Sequence, residues 1–147
     1  WDLIKDTLEG LPIPDRRRAP VLSIPDKTLF VRGDARKLQQ ALTNVLTNAY
    51  RYSGPESMVS IDVRAVTDAD GTSWVLILVR DQGIGMTEQQ VGKVFERFYR
   101  ANAGEGPDGS GLGMSIVKEI MDLHGGEVRI NSALGRGTEV VLHLPVG

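Results

Sequence analysis

The sequence predicts an α+β fold: a two-layer α/β sandwich, with one mixed sheet carrying its helices on one face. Three observations predict it. Apolar residues recur at helical spacing in two separate segments, Leu38 to Ala49 and Met114 to Leu123. Val59, Ile61, Val63 and Ala65 alternate with polar residues, as in a half-buried strand, and Trp74 to Val79 is a continuous apolar run that suits a central strand. Two more strand-like segments follow the second helix, one holding Val128 and Ile130, the other running from Glu139 to Leu144.

Taken in order, residues 1–19 read as a lead-in and linker, and residues 20–147 as the domain. Trp1, Leu3, Ile4 and Leu8 share one side of a short helix. Leu11 to Pro20 breaks it with three prolines and the run Arg16-Arg17-Arg18, in the manner of a solvated linker. Val21 to Ile24 and Thr28 to Val31 read as short strands. Asp34 is placed to cap a helix running to about Tyr52. Leu38, Ala41, Leu42, Val45, Leu46 and Ala49 form its buried face. The turn Asp68-Ala-Asp-Gly71 makes a hairpin of the next two strands. Thr87-x-x-Gln90 is a capping-box pattern that opens a short helix toward Phe95. Residues 99–110 are polar, glycine-rich and without periodicity, and read as a mobile loop. Gly125-Gly126 stops the next helix, and Gly135-Arg-Gly137 turns the chain into its last strand.

Composition narrows the function. Hydrophobic residues are 41% and charged residues 24%, an ordinary globular balance. A net charge of −2 gives no field to draw the chain onto nucleic acid or a membrane surface. The absence of cysteine removes disulfides and thiolate metal sites, and two histidines are too few for the usual zinc sites. No apolar run approaches the ~20 residues of a membrane span. The chain opens at Trp1, so it is expected to be a fragment of something larger. Glycine is abundant, 17 of 147 residues, where about 10 are usual. These glycines concentrate between Gly83 and Gly113, where regular structure gains nothing from them.

Three segments carry chemistry. On a helical wheel Lys37, Gln40, Asn44, Asn48 and Arg51 form one stripe beside the apolar face. Asparagine is a poor helix former, so two of them one turn apart ask for a reason. An amide oxygen suits Mg²⁺, which commonly binds one or two side-chain oxygens plus phosphates and water. Arg51, one turn on, is placed to hold a phosphate oxygen. A wet helix edge is the plainer account of the same stripe. Next, Asp81-Gln-Gly83-Ile-Gly85 follows the apolar strand directly. An acid and two alternating glycines at a strand end point to close approach of backbone to a ligand, although turn residues at a strand exit give the same pattern. Last, Gly109-Ser-Gly111-Leu-Gly113 leads straight into a helix, where free N–H groups and the dipole favour a phosphate. A flexible hinge is the alternative. No G-K-[ST] follows these glycines, their spacing is not G-x-G-x-x-G, and H-R-D and D-F-G are absent.

Together these segments resemble the ATP-binding catalytic domain of bacterial sensor histidine kinases over about residues 30–146. Asn44-Val-Leu-Thr-Asn48-Ala-Tyr-Arg-Tyr-Ser53 looks like the N box, and Asp81-Gln-Gly-Ile-Gly85-Met like the G1 box. Phe95-Glu-Arg-Phe-Tyr-Arg100 looks like the F box, and Gly109-Ser-Gly-Leu-Gly113-Met like the G2 box. Gly135-Arg-Gly-Thr138 resembles the family's glycine-threonine turn. Five such segments in order are highly specific.

The resemblance implies the Bergerat ATP-binding fold, with ATP and Mg²⁺ as ligands. It implies that Asp81 accepts a hydrogen bond from the adenine amino group, backed by Thr138 through water. It implies that Asn48 coordinates Mg²⁺ with help from Asn44, and that Gly109 and Gly111 to Gly113, with Leu112 among them, cradle the phosphates. Arg51 and Tyr52 of the N box and Gly83 and Gly85 of the G1 box join the nucleotide site. Residues 99–110 match the ATP lid, Arg100 matches a phosphate-contacting arginine, and Phe95 and Phe98 match the lid hinge. Asn44, Asn48 and Arg100 are then the expected catalytic set.

Two substitutions depart from the pattern: Arg51 stands where the family often has lysine, and Met114 where leucine is common. No histidine-box stretch is present, and His124 and His143 read as structural. The implied reaction is transfer of the γ-phosphoryl group to a histidine on a separate dimerisation domain, with a response regulator downstream. The fragment itself is expected to be monomeric, to contact neither nucleic acid nor membrane, and to be the cytoplasmic part of an inner-membrane, homodimeric sensor kinase. Gyrase-like hydrolysis is the enzymatic alternative, but such members carry Glu where Asn44 stands. An anti-sigma-type serine kinase and a nucleotide-binding regulatory module are the others.

Overall fold

A computed structural model describes residues 1–11, 19–53, 58–95 and 113–146, with only the backbone of Tyr52. The elements, in chain order, are α1 (Asp2–Gly10), β1 (Val21–Ser23), α2 (Ala35–Tyr52), β2 (Val59–Thr67), β3 (Ser73–Asp81), α3 (Glu88–Lys93), α4 (Gly113–Leu123), β4 (Glu127–Ser132) and β5 (Thr138–Pro145). The strands form one five-stranded sheet in the order β1-β2-β3-β5-β4. It is mixed, because β1 runs parallel to β2 and the other pairings are antiparallel. The apolar run at Trp74 to Val79 is the central strand β3.

Strand alternation sorts the side chains. Val59, Ile61 and Val63 of β2, Val75, Ile77 and Val79 of β3, and Val140, Leu142 and Leu144 of β5 share one face. They form a single core with Leu38, Ala41, Leu42, Val45 and Leu46 of α2, Val117, Ile120 and Met121 of α4, and Ile4 of α1. Helices α1, α2 and α4 therefore lie on one face, as predicted. The lead-in helix is packed into the domain through Ile4, while the arginine run lies outside the described residues.

On the opposite face Leu78 and Val141 are buried outside that core cluster. Neighbouring positions carry a charged lattice: Arg80 pairs with Glu139 and, at 3.4 Å, with Asp62; Arg64 reaches Asp62 at 3.5 Å; Asn131 donates to Glu139 at 3.1 Å. His143 sits on this face, and burial holds its imidazole below its ordinary pKa, with the Arg129 charge adding to the effect.

The turns follow their sequence signals. The Asp34 carboxylate caps α2 by accepting from the N–H groups of Arg36 and Lys37 at 2.9 and 3.2 Å. Thr87 and Gln90 make both halves of the capping box on α3. Gly125, at φ 69°, ends α4: its N–H reaches the carbonyl of Asp122 and that of Gly126 reaches Met121, the Schellman pattern. The hairpin β2–β3 turns on Asp68, whose carboxylate accepts from the N–H groups of Asp70 and Thr72 and from the Trp74 indole, each at 2.9 Å.

One expected strand is absent. Thr28 to Val31 is not extended into the sheet, and only Val31 makes a bridge, to Val146. The reason is local: the Asp26 carboxylate takes the Thr28 N–H at 2.9 Å and its hydroxyl as well. This side-chain turn satisfies the backbone that a strand would have paired.

Candidate functional site

The end of β3 lies where several elements begin or stop. Asp81 pairs with Val59 at the start of β2, which follows closely on the end of α2, and with Thr138 at the start of β5. Thr138 pairs in turn with Ser132 at the end of β4. Asp81, Thr138 and Ser132 continue the apolar stripes of their strands in phase. These polar side chains thus emerge on the helix side, at one end of the sheet.

Asp81 is half-buried. Burial pushes its carboxyl above the usual pKa, and the backbone N–H groups of Gly83 and Thr138 act in the opposite direction. The Gly83 bond is 2.8 Å long. A carboxylate held in this way is a half-buried acceptor aimed by backbone. The Thr138 hydroxyl does not bond to Asp81; it lies 2.8 Å from the Ser132 hydroxyl.

Two of the glycines turn out to serve the protein's own backbone. A Cβ on Gly85 (φ 72°) would lie 2.0 Å from the Ala133 carbonyl oxygen, and one on Gly137 (φ 80°) would lie 2.1 Å from that of Asp81. The loop after β3 and the turn before β5 are pressed together there, and positive φ adds a second reason for glycine. Ser132 ties the same two segments: it donates to the Gly137 carbonyl at 2.9 Å and accepts from the Met86 N–H at 2.8 Å. Sequence reasoning missed Ser132. The signal was available, as a polar residue in the buried phase two positions after Ile130.

On α2, Asn44 and Asn48 are half-buried and Arg51 is exposed. The two asparagines face the first turn of α4. The Asn44 Nδ2 group donates to the Gly113 carbonyl at 3.2 Å, which leaves its Oδ1 free of that bond. A Cβ on Gly113 would sit 3.9 Å from the Asn48 amide, an ordinary contact. Packing against the described residues therefore does not account for glycine at 113, in contrast to Gly85 and Gly137. The structure brings together Asn44, Asn48 and Gly113 on one side, and Asp81, Gly83, Gly85 and Thr138 on the other. Phe98, Arg100, Gly109, Gly111 and Leu112 lie outside the described residues, as do the Tyr52 side chain and the whole 99–110 segment. A cavity of about 200 Å³ beneath α1, lined by Leu3, Ile24, Val75 and Leu144, is separate from both groups.

The family model for histidine kinase-, DNA gyrase B-, and HSP90-like ATPases matches residues 33–147. The chain belongs to this family. Within these ATPases it is similar to the sensor histidine kinase WalK of Bacillus subtilis (strain 168), 37% identical over 129 residues, covering 85% of this chain and 20% of the relative. It is also similar to WalK of Staphylococcus aureus, 36% identical over 127 residues, covering 85% and 30%. The chain thus spans less than a third of the length of these curated relatives. Among solved structures it matches the mycobacterial sensor histidine kinase MprB with a TM-score of 0.82 and 30% identity, over 99% of this chain and 94% of that one. The catalytic domain of histidine kinase ThkA shares the fold, with a TM-score of 0.81, 23% identity, and coverage of 99% and 92%. The ATPase-family domain here is therefore of the histidine kinase catalytic type, with the Bergerat fold. None of its described helices is long and apolar enough to cross a membrane.

Proposed function

We propose that this domain binds Mg-ATP and passes the γ-phosphoryl group to a histidine on a separate dimerisation domain of the same kinase. The observation that carries this reading is the half-buried Asp81 carboxylate at the end of β3, oriented by the Gly83 N–H. Such an acceptor suits an exocyclic amino group on adenine. The phosphates would then lie toward the first turn of α4 and the 109–113 glycines, with Arg51 and Arg100 as candidate phosphate contacts.

The residues fit a magnesium ion bound alongside phosphate. Among the described residues no group of three acidic or histidine side chains is gathered to hold a metal alone. The Asn48 amide, with the Oδ1 of Asn44, offers the neutral hard oxygens that magnesium accepts when phosphates complete its shell. Bound there, the ion would offset phosphate charge. The protein's own contribution is positioning. The attacking imidazole nitrogen forms the bond to γ-phosphorus, the bond to the β–γ bridging oxygen breaks, ADP leaves, and the ring gives up its N–H proton.

Hydrolysis is disfavoured on one specific ground. Asn44 occupies the place of a water-activating glutamate and spends its amide N–H on the Gly113 carbonyl. An amide is no base. Likeness to sensor kinases supports a cytoplasmic position, a homodimeric parent protein and a response regulator downstream. The test is calorimetric titration of the chain with ATP, with and without Mg²⁺, followed by radiolabelled ATP in the presence of a helical histidine domain. Transfer of label to that domain is the expected result. Binding without transfer would leave a regulatory module, and turnover near one per second by the chain alone would favour a hydrolase.

A further inference from the structure

The Ser132 hydroxyl has three partners: the Gly137 carbonyl at 2.9 Å, the Met86 N–H at 2.8 Å and the Thr138 hydroxyl at 2.8 Å. Elimination assigns the donors. A hydroxyl holds one hydrogen and two lone pairs. The Gly137 carbonyl only accepts, so Ser132 spends its hydrogen there. The Met86 N–H only donates, and fills one lone pair. The remaining contact must use the Thr138 hydrogen, which fills the other. Thr138 is left with lone pairs and no hydrogen for any further neighbour.

We propose that Ser132 is a specificity-determining positioning residue, which fixes the Thr138 hydroxyl as an acceptor and thereby makes the base end of the pocket select a 6-amino over a 6-oxo purine. The inference rests on the nucleotide-binding reading above and names what sets its base preference. Asp81 and Thr138 are paired neighbours on the same face of the sheet. The Asp81 carboxylate offers lone pairs, and the Thr138 oxygen now offers lone pairs only. A base that meets both must bring donors. The amino group of adenine brings two. Hypoxanthine sets its carbonyl oxygen against these lone pairs and has a single N1–H, which can meet one of the two acceptors but not both; a site built for hydrogen bonding rejects such a mismatch strongly. A Thr138 hydroxyl free to turn its hydrogen outward would tolerate that carbonyl.

Titration with ATP and ITP tests this, because the two share ribose and phosphates and differ only in the base. The unaltered chain should prefer ATP. Ser132→Ala releases the Thr138 hydrogen, and the ATP-to-ITP affinity ratio should narrow by about tenfold, the scale of one hydrogen bond. Ser132→Thr keeps the hydroxyl and should restore the ratio. Equal weakening of both nucleotides, with an unchanged ratio, would overturn the proposal and leave Ser132 a structural tie. If Ser132→Ala does not fold, NMR of the unaltered chain carries the test. The Thr138 hydroxyl proton should exchange slowly and lie close to Ser132; free exchange with water would overturn the assignment. Failure of the unaltered chain to bind either nucleotide would instead remove the nucleotide reading itself, and the proposal with it.

Discussion

The Nε2 atom of His124 accepts the backbone N–H of Asp34 at 3.0 Å, across 90 positions of sequence. Its Nδ1 donates to the Ile120 carbonyl at 2.7 Å. One neutral ring therefore joins the last turn of α4 to the N-cap of α2. The site depends on both helices, because Asn44 and Asn48 of α2 meet α4 at Gly113. Gly33 makes room for the ring, since a Cβ there would come within 2.4 Å of it.

Replacing this ring should be felt in stability. His124→Ala removes the hydrogen bond that joins the two helices, together with one to its own helix, and should cost about 1–3 kcal/mol, read from urea unfolding with an unchanged slope. A cost under roughly 0.5 kcal/mol, the level of a featureless surface change, would show that the helices are held together without it.

Gly137→Ala should damage the site directly. The new Cβ would press on the Asp81 carbonyl and demand positive φ from alanine. The expected outcome is a stability loss of about 1–3 kcal/mol, together with loss of ATP binding. Gly71→Ala serves as the control: its φ is also positive, at 82°, but nothing lies within 4 Å of its added Cβ. It should lose some stability and keep its nucleotide.

Asp81 gives a pH-dependent prediction. Burial raises its folded-state pKa above the unfolded value, so the folded chain holds this proton more tightly. The ionised group thus costs stability. That cost is fully present above the raised pKa and disappears below the ordinary carboxylate range. Asp81→Asn should therefore melt higher than the unaltered chain at neutral pH, with the gap closing as the pH falls through that window. The same substitution should weaken ATP binding by about 1.5–3 kcal/mol. A variant that loses stability at neutral pH, or that binds ATP undiminished, would contradict the assignment.

Asn48→Ala should leave the fold intact and remove the magnesium dependence of ATP binding. Titrations with and without a chelator, compared between the two proteins, decide it. An unchanged response to chelation would take Asn48 out of the metal role.

Much of the fold was legible because its signals are periodic or chemical. The apolar stripe of α2, the cap at Asp34, the box at Thr87 and Gln90 and the stop at Gly125 each use local physics that the chain carries by itself. Thr28 to Val31 misled because β propensity is weak against a side chain, Asp26, that takes the backbone N–H first. The site was legible in its boxes and less so in its mechanics. Glycines reveal close approach but not what approaches: at Gly85 and Gly137 it is carbonyl oxygen of the protein itself. Ser132 stayed hidden because its importance lies in contacts with Met86 and Gly137, which no spacing within β4 announces.

The β2–β3 hairpin offers a practical handle. Asp68 pins its tip, and Ala69 stands exposed there. Asp81 lies at the far end of β3, roughly 25 Å away at the usual rise per residue. The chain has no cysteine, so Ala69→Cys would create a single thiol. A fluorophore attached at that point would sit clear of the nucleotide end while reporting on the tumbling and partner docking of the whole domain.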